Sequence, residues 1–423
     1  MAGLSIAKGD DKAGLARISE GLVIALAASL PWSTSATAIL VVLWIITFVP
    51  TANWVDIRRE LLTSAGGLPV FLVGLGLAGI LWSDVTPYER WKGFESFLKL
   101  LVIPLLFVQF GRSGRSERVF LAYLLSCVVL LIATTAIKPI GPLWNLLTRY
   151  EVGGVVFHND VLVKNAATQS GEFVTCIFGL LFLIHEASVR RRWQLLLGLL
   201  VVVCAMLASI FYVSLGRTAL VVIPVLLVLF AIKKLRGKSI VLAFVCAVLI
   251  GAGGWFSSPY LRERTTQIGT EIQTYEATNE RTSSGERIEF WKKSAEFIRE
   301  APVFGHGTGS IGAQFERAAA GRSGAAGVAA DNPHNQTFAV AIQLGLLGAV
   351  VLWAMWIAHM LLFRGYGLAE WVGLVIVVQN VVGSLFNSHL FDFTQGWAYA
   401  IGVGVAGGMV LKNRRLEKSV KLG

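Results

Sequence analysis

Three side chains in the second half of this chain have the types and settings that acid–base and phosphate chemistry need. "DNPHNQTF", Asp331 to Phe338, ends the longest polar stretch and leads into an apolar run. Asp331 or Asn332 can cap a helix there and Pro333 suits its first position, which predicts His334 in the first turn. A helix N-terminus attracts phosphate and disfavours imidazolium, so the ring stays neutral, the form a general base needs near pH 7. The competing reading is a polar residue that merely tolerates the membrane edge. "VSLGRTAL" holds Arg217 between two apolar runs, with no acidic residue within ten positions on either side. Such a guanidinium either snorkels to the interface or grips a phosphate with its forked donors. Arg287, in "SGERIEFWKKSAEFIRE", is a second phosphate candidate, although Glu286 and Glu289 beside it make an ordinary surface charge the simpler reading. Lys99 falls inside an apolar run, where charge is functional by default. Arg90 and Lys92, just outside that run, could flank a headgroup plane.

Other motifs carry less. Gly307 to Gly312, "GTGSIG", matches the dinucleotide pattern G-x-G-x-x-G, but no buried strand precedes it and it reads as a turn. Asn335-Gln336-Thr337 is formally a glycosylation sequon, pressed against a membrane span. There is no H-E-x-x-H, C-x-x-C or close histidine pair, so neither a metal nor another cofactor is expected. Cys127, Cys176, Cys204 and Cys246 all lie in apolar runs, as small hydrophobes.

The elements that must position these residues are membrane helices. Of 423 residues, 55% are apolar and 15% charged, where a soluble protein carries about 25% charge. The apolar runs are continuous and near the ~20 residues that span a bilayer, which excludes a barrel of alternating strands. Twelve segments qualify: 17–31, 34–50, 67–83, 94–110, 119–136, 170–186, 193–213, 218–232, 239–257, 337–363, 367–388 and 391–411. The first has no convincing cleavage site and reads as a retained span. With the N-terminus inside, 21 of the 37 Lys and Arg residues fall in inside segments and six in short outside loops. The basic-inside rule then makes both termini cytoplasmic. The net charge of +11 is therefore a topology signal, with no nucleic-acid partner implied. Two outside loops are long, 137–169 and 258–336, and the second divides the chain into a bundle 1–257, a loop unit 258–336 and a C-terminal part 337–423. In that loop Ile288, Trp291, Ala295 and Ile298 recur at helical spacing, predicting an amphipathic helix. "RAAAGRSGAAGVAAD" reads as flexible.

"SLGRTAL", "GERIEFWKKSAEFI", "PVFGHGTGS" and "PHNQTF", in this order, resemble the O-antigen ligase and O-antigen polymerase superfamily of bacterial envelopes. The specific likeness covers roughly 210–340, and the twelve-span, all-α layout with a long late loop agrees with it. The layout and the "FESFLKLLVIPLLF" span favour the ligase over the polymerase or a protein O-oligosaccharyltransferase. The resemblance implies a metal-independent glycosyltransferase of C type in the inner membrane, working at its periplasmic face. Its donor would be an undecaprenyl-diphosphate-linked glycan and its acceptor lipid A–core. Arg217 matches the arginine after the family's Ser-x-x motif, Arg287 the arginine opening the loop helix, and His334 the histidine of Pro-His-Asn. Asn335 completes that triplet, and Asp392 in "HLFDFTQGW" matches a later family acid. Where the family has serine before the first arginine, this chain has Gly216.

The implied mechanism has Arg217 and Arg287 take the charge of the leaving diphosphate, in place of the Mg²⁺ common at such sites. His334 would deprotonate the acceptor hydroxyl for inverting attack. The rival from another class is a flippase or secondary transporter. It should show inverted repeats and paired broken helices near the midplane, and the sequence shows neither.

Overall fold

The computed structural model describes residues 2–152, 155–158 and 161–422. The side chains of Lys8, Lys418 and Lys421, part of the basic count above, lie outside the described residues. A helix coincides with each of the twelve apolar segments. Among the described residues eight helices are long and apolar enough to cross a membrane, and Leu368–Gly383 is a shorter apolar one. Their environments differ sharply. Gln336–Leu362 has 67% of its apolar window buried inside the protein, whereas Lys238–Ser257 has 6% and can hide its apolar surface only in lipid. The chain is a polytopic all-α membrane protein. Among the described residues the one departure is a small hairpin in the loop 137–169, where Arg149–Val152 pairs antiparallel with Val155–His158.

Two of the predicted spans are interrupted. The run Pro87–Phe110 passes through a 3₁₀ turn at Lys99–Leu101. Helix Gln336–Leu362 breaks at Gly345, whose φ of 64° and ψ of −165° suit glycine alone. Neither break announces itself in a hydropathy pattern, because the apolar residues continue through it. At Gly345 the freed donors find new acceptors: Leu346 N–H reaches Pro302 O at 2.8 Å.

Polar contacts between loops sort the bundle into two ends. At one end Arg112 pairs with Asp56, Arg415 with Glu60, Lys412 bonds Ser113 O and Lys233 bonds Arg364 O. These are the segments assigned to a common side by their basic residues. Among the segments assigned to the opposite side, Lys164 bonds Leu30 O, Arg317 pairs with Asp84 and Asn332 bonds Asn387.

The loop 258–336 is mostly helical, with Pro259–Thr278, Ser283–Glu300 and Ile311–Ala319. The amphipathic helix exists, but its buried face is not the predicted one. Phe290 and Phe297 turn inward with Ser294, whereas Ala295 is exposed. The two phenylalanines sit a heptad apart and both meet Phe315 edge-on, at 5.3 and 5.2 Å between centroids. Aromatic packing therefore chose the face that the aliphatic spacing missed. Lys293 is drawn in as well, because its ammonium finds Ala326 O at 2.5 Å. "RAAAGRSGAAGVAAD" is pinned rather than loose. Asn279, left-handed at φ 54°, accepts Ala325 N–H on its carbonyl at 2.8 Å and donates its amide to Ser323 O at 2.9 Å.

Candidate active site

His334 lies just outside the helix it was expected to start. Asn335 is the cap of Gln336–Leu362, its Oδ1 accepting Phe338 N–H at 3.1 Å. The predicted caps Asp331 and Asn332 are not used, and His334 precedes the first turn. Asn332 does other work. Its Oδ1 accepts His334 N–H at 2.9 Å, closing an Asx turn that Pro333 stiffens. This turn puts His334 at φ +52°, a left-handed backbone that costs a non-glycine residue about 1–3 kcal/mol and persists only where neighbours enforce it. The ring is then clamped. Phe290 stacks on it with a 15° interplanar angle, and Nδ1 lies 3.0 Å from Asn387 Oδ1. Burial and then the positive charge of Arg287 pull His334 below the ordinary histidine range, against the Asn387 hydrogen bond and Glu286. The neutral ring is therefore favoured, by burial and a cation rather than by a helix end.

Arg217 is not the lone cation that its sequence neighbours suggest. Glu271, on helix Pro259–Thr278, takes its fork with both oxygens, at 2.6 and 2.7 Å, and Ser284 Oγ adds a contact at 3.1 Å. Glu271 also accepts Ser284 N–H at 2.9 Å, at the start of the helix that Thr282 caps. Hydrogen bonds from Arg217 and from Ser284 outweigh desolvation and hold its carboxyl at about 2. Gly216 is explained by packing. A Cβ there would collide with Ala167 and Ser170 Oγ, and that hydroxyl accepts Gly216 N–H at 3.2 Å.

Arg287 behaves the opposite way. Its sequence neighbours are engaged elsewhere, Glu286 with Arg281 at 2.8 Å and Glu289 with Tyr275 Oη at 2.9 Å. Partly buried, Arg287 has no hydrogen-bond or ion-pair partner among the described residues. Burial first and the charge of Arg217 second depress its pKa, and Glu271 opposes them. Arg287 is thus in electrostatic reach of both Arg217 and His334, which lie 117 positions apart in the sequence.

The other expected residues surround this cluster without joining it. Lys99 donates to Phe391 O at 3.1 Å and Asp392 O at 3.0 Å, so its buried charge tethers the turn 384–392. Asp392 caps the last helix through Gln395 N–H at 3.1 Å. Asn335, beyond its capping role, donates to Leu385 O at 3.3 Å. Lys92 faces Asp331 at 3.6 Å, and Arg90 holds Val85 O at 2.9 Å. Sequence reasoning missed Glu271, Asn387 and Phe290. Glu271 and Asn387 come from segments distant in the chain, where nothing marks a single acid or amide, whereas Phe290 sits inside a motif already singled out. Among the described residues no group of three or more His, Cys, Asp or Glu could hold a metal ion.

The glycine-rich turn lies nearby and is structural. The N–H groups of His306, Gly307 and Thr308 donate to Ile342 O, Gln343 O and Gly79 O, and Gly309 N–H to Gln343 Oε1. These four N–H groups are therefore spent inside the protein.

Comparison with known proteins gives two partial matches. A protein of Haemophilus influenzae, described as uncharacterized, is 25% identical over 134 residues, 31% of this chain and 34% of that protein. The match thus spans about a third of the relative's length, 34%. The family model described as O-antigen ligase matches residues 202–353, which contain Arg217, Arg287 and His334. The likeness to the O-antigen ligase family is thus carried by the region that holds all three residues.

Proposed function

We propose that this protein transfers a glycan from an undecaprenyl-diphosphate carrier onto lipid A–core oligosaccharide, with His334 as general base and Arg287 and Arg217 receiving the diphosphate. The observation that carries this reading is the juxtaposition of a ring held neutral with a partly buried, unpaired guanidinium. In the transfer, the acceptor O–H proton passes to the histidine and the oxygen bonds the anomeric carbon from the face opposite the leaving group. The bond from that carbon to the phosphate oxygen breaks, and its electron pair leaves on the diphosphate. Arg287 meets that growing charge with its free donors, in a setting where water is partly excluded. Arg217 contributes once the phosphate shares or displaces Glu271. The chemistry needs no metal or cofactor.

In this reading the loop unit 258–336 lies in the periplasm, between the bundle 1–257 and the part 337–423, with both termini cytoplasmic and the whole in the inner membrane; the 21 basic residues in inside segments against six in short outside loops support it. Cysteines at Ser283 and Ser419 in a cysteine-free background test this, because an impermeant thiol reagent should label only the first in spheroplasts. A polymerase or protein O-oligosaccharyltransferase of the same superfamily would differ in acceptor, not in this donor site. A flippase would need no base. Purified protein with lipid-linked glycan and lipid A–core in liposomes, without ATP, should yield the ligated product on a mobility gel. Movement of donor across the bilayer without product would reverse the reading.

A further inference from the structure

Resting on the reading of His334 as a base, we propose that Asn332 and Asn387 form an amide relay that fixes the proton on Nδ1 and leaves the Nε2 lone pair for the acceptor hydroxyl. Both are positioning residues, and neither touches the reacting atoms.

The assignment follows from one group whose role cannot change, the backbone N–H of His334. It donates to the Asn332 side chain at 2.9 Å, so the atom it meets is the amide oxygen. Ser388 Oγ donates to the same oxygen at 2.7 Å. The other end of the Asn332 amide is then NH₂, and it lies 3.0 Å from the Asn387 side chain. A donor there requires that Asn387 present its oxygen. That oxygen is also the atom 3.0 Å from His334 Nδ1, and an amide oxygen only accepts. Nδ1 must therefore carry the proton. Nε2 makes no hydrogen bond among the described residues and is not among the buried polar atoms that lack one, so it opens outward. A backbone donor thus sets a ring tautomer through two side-chain amides, and the ring belongs to the residue that supplies the donor.

The relay is held rigidly at its far side. Asn387 rides on the turn 384–392, whose backbone Gln336 grips: its N–H reaches Ser384 O at 2.9 Å and its Oε1 accepts Leu390 N–H at 2.9 Å. Lys99 tethers the end of the same turn. The intramembrane lysine thereby acts on the site from a distance, by fixing the height of Asn387.

The test is the ring ¹⁵N spectrum of full-length protein labelled in histidine, with His334 assigned by its loss in His334→Gly. Wild type should show the Nδ1–H tautomer. Asn387→Leu should shift it toward Nε2–H and lower kcat by about tenfold to a hundredfold, the size seen when a metal-bound histidine loses the partner orienting its ring. Asn387→Asp keeps an acceptor and should restore the Nδ1–H form. Its carboxylate, added to the Arg287 and Glu286 charges that already act on the ring, should move the acid limb of the rate profile to higher pH. An Nε2–H tautomer in wild type, or one indifferent to Asn387→Leu, would overturn the relay. Undiminished transfer by His334→Gly would instead overturn the base itself, whatever the tautomer.

Discussion

The chain approaches helix Gln336–Leu362 twice with non-helical backbone, and the two approaches are built on opposite terms. At Gly305–Gly309 three glycines take positive φ and four successive N–H groups, His306 to Gly309, are all consumed by acceptors of the protein. At Asn332–Asn335 a histidine takes the positive φ, its backbone and one ring nitrogen are bonded, and the other nitrogen is left open. The first segment is a wedge that lets the loop seat against the broken helix at Gly345. The second is a mount. In the sequence the first overlapped a dinucleotide pattern but read as a turn, and the second read as a candidate base; what separates them is how far their polar groups are spent. The same contrast divides the arginines, since Arg217 is saturated by Glu271 whereas Arg287 is not.

The largest effect should come from His334→Gly, which removes the ring while relieving the backbone strain. Transfer should fall by about 10²–10⁴, the usual worth of a general base, with membrane accumulation and thermal stability unchanged or improved. Gly307→Ala is its mirror image. A Cβ at φ +89° would strike Ser83, so the variant should lose about 1–3 kcal/mol of stability while its folded fraction keeps the wild-type pH profile. Loss of stability in the first variant, or a shifted pH profile in the second, would erase the distinction between wedge and mount.

Arg287→Gln should cost about 10²–10³ in kcat, as loss of one donor to a developing charge does. It also has a signature in pH. Arg287 lowers the His334 pKa, so its removal lets that pKa rise, and the acid limb of activity should move to higher pH. Glu271 cannot be the source of that limb, because its carboxyl stays ionised down to about 2. Activity abolished by EDTA and restored by Mg²⁺ would show that a metal, not Arg287, meets the leaving charge. Arg217→Lys should cost somewhat less, about tenfold, since a point charge cannot hold both oxygens of a carboxylate or phosphate. The smallest effect is expected from Glu271→Gln, with donor KM falling by about twofold to tenfold as the competing carboxylate is weakened. A rise in KM would mean that Glu271 positions Arg217 rather than competing for it.

Much of this was legible in the sequence. Length and continuity of the apolar runs located the helices, because a bilayer admits few alternatives. His334 and Arg217 stood out as candidates because each is an unusual residue type for its local setting, whereas Arg287, between Glu286 and Glu289, looks like an ordinary surface charge by its neighbours. Partners were not. Glu271 and Asn387 lie 54 and 53 positions from the residues they bond, and a single sequence carries no trace of such pairings. The helix start failed for a related reason. Asn332 and Asn335 are equally good caps, and the choice between them was made by Ser388 and Asn387 on another segment. The buried face of Ser283–Glu300 was misread because Phe315, which selects it, lies outside that helix.

The central claim is that the open nitrogen of His334 accepts the proton of the acceptor hydroxyl. Chemical rescue tests it most directly. His334→Gly leaves a gap beside Phe290 into which free imidazole can diffuse, and transfer in reconstituted membranes is measured as imidazole and pH are varied. The account predicts near-background transfer without imidazole and a rate that rises with the concentration of its neutral form. Transfer by His334→Gly at close to the wild-type rate, with imidazole making no difference, would contradict it.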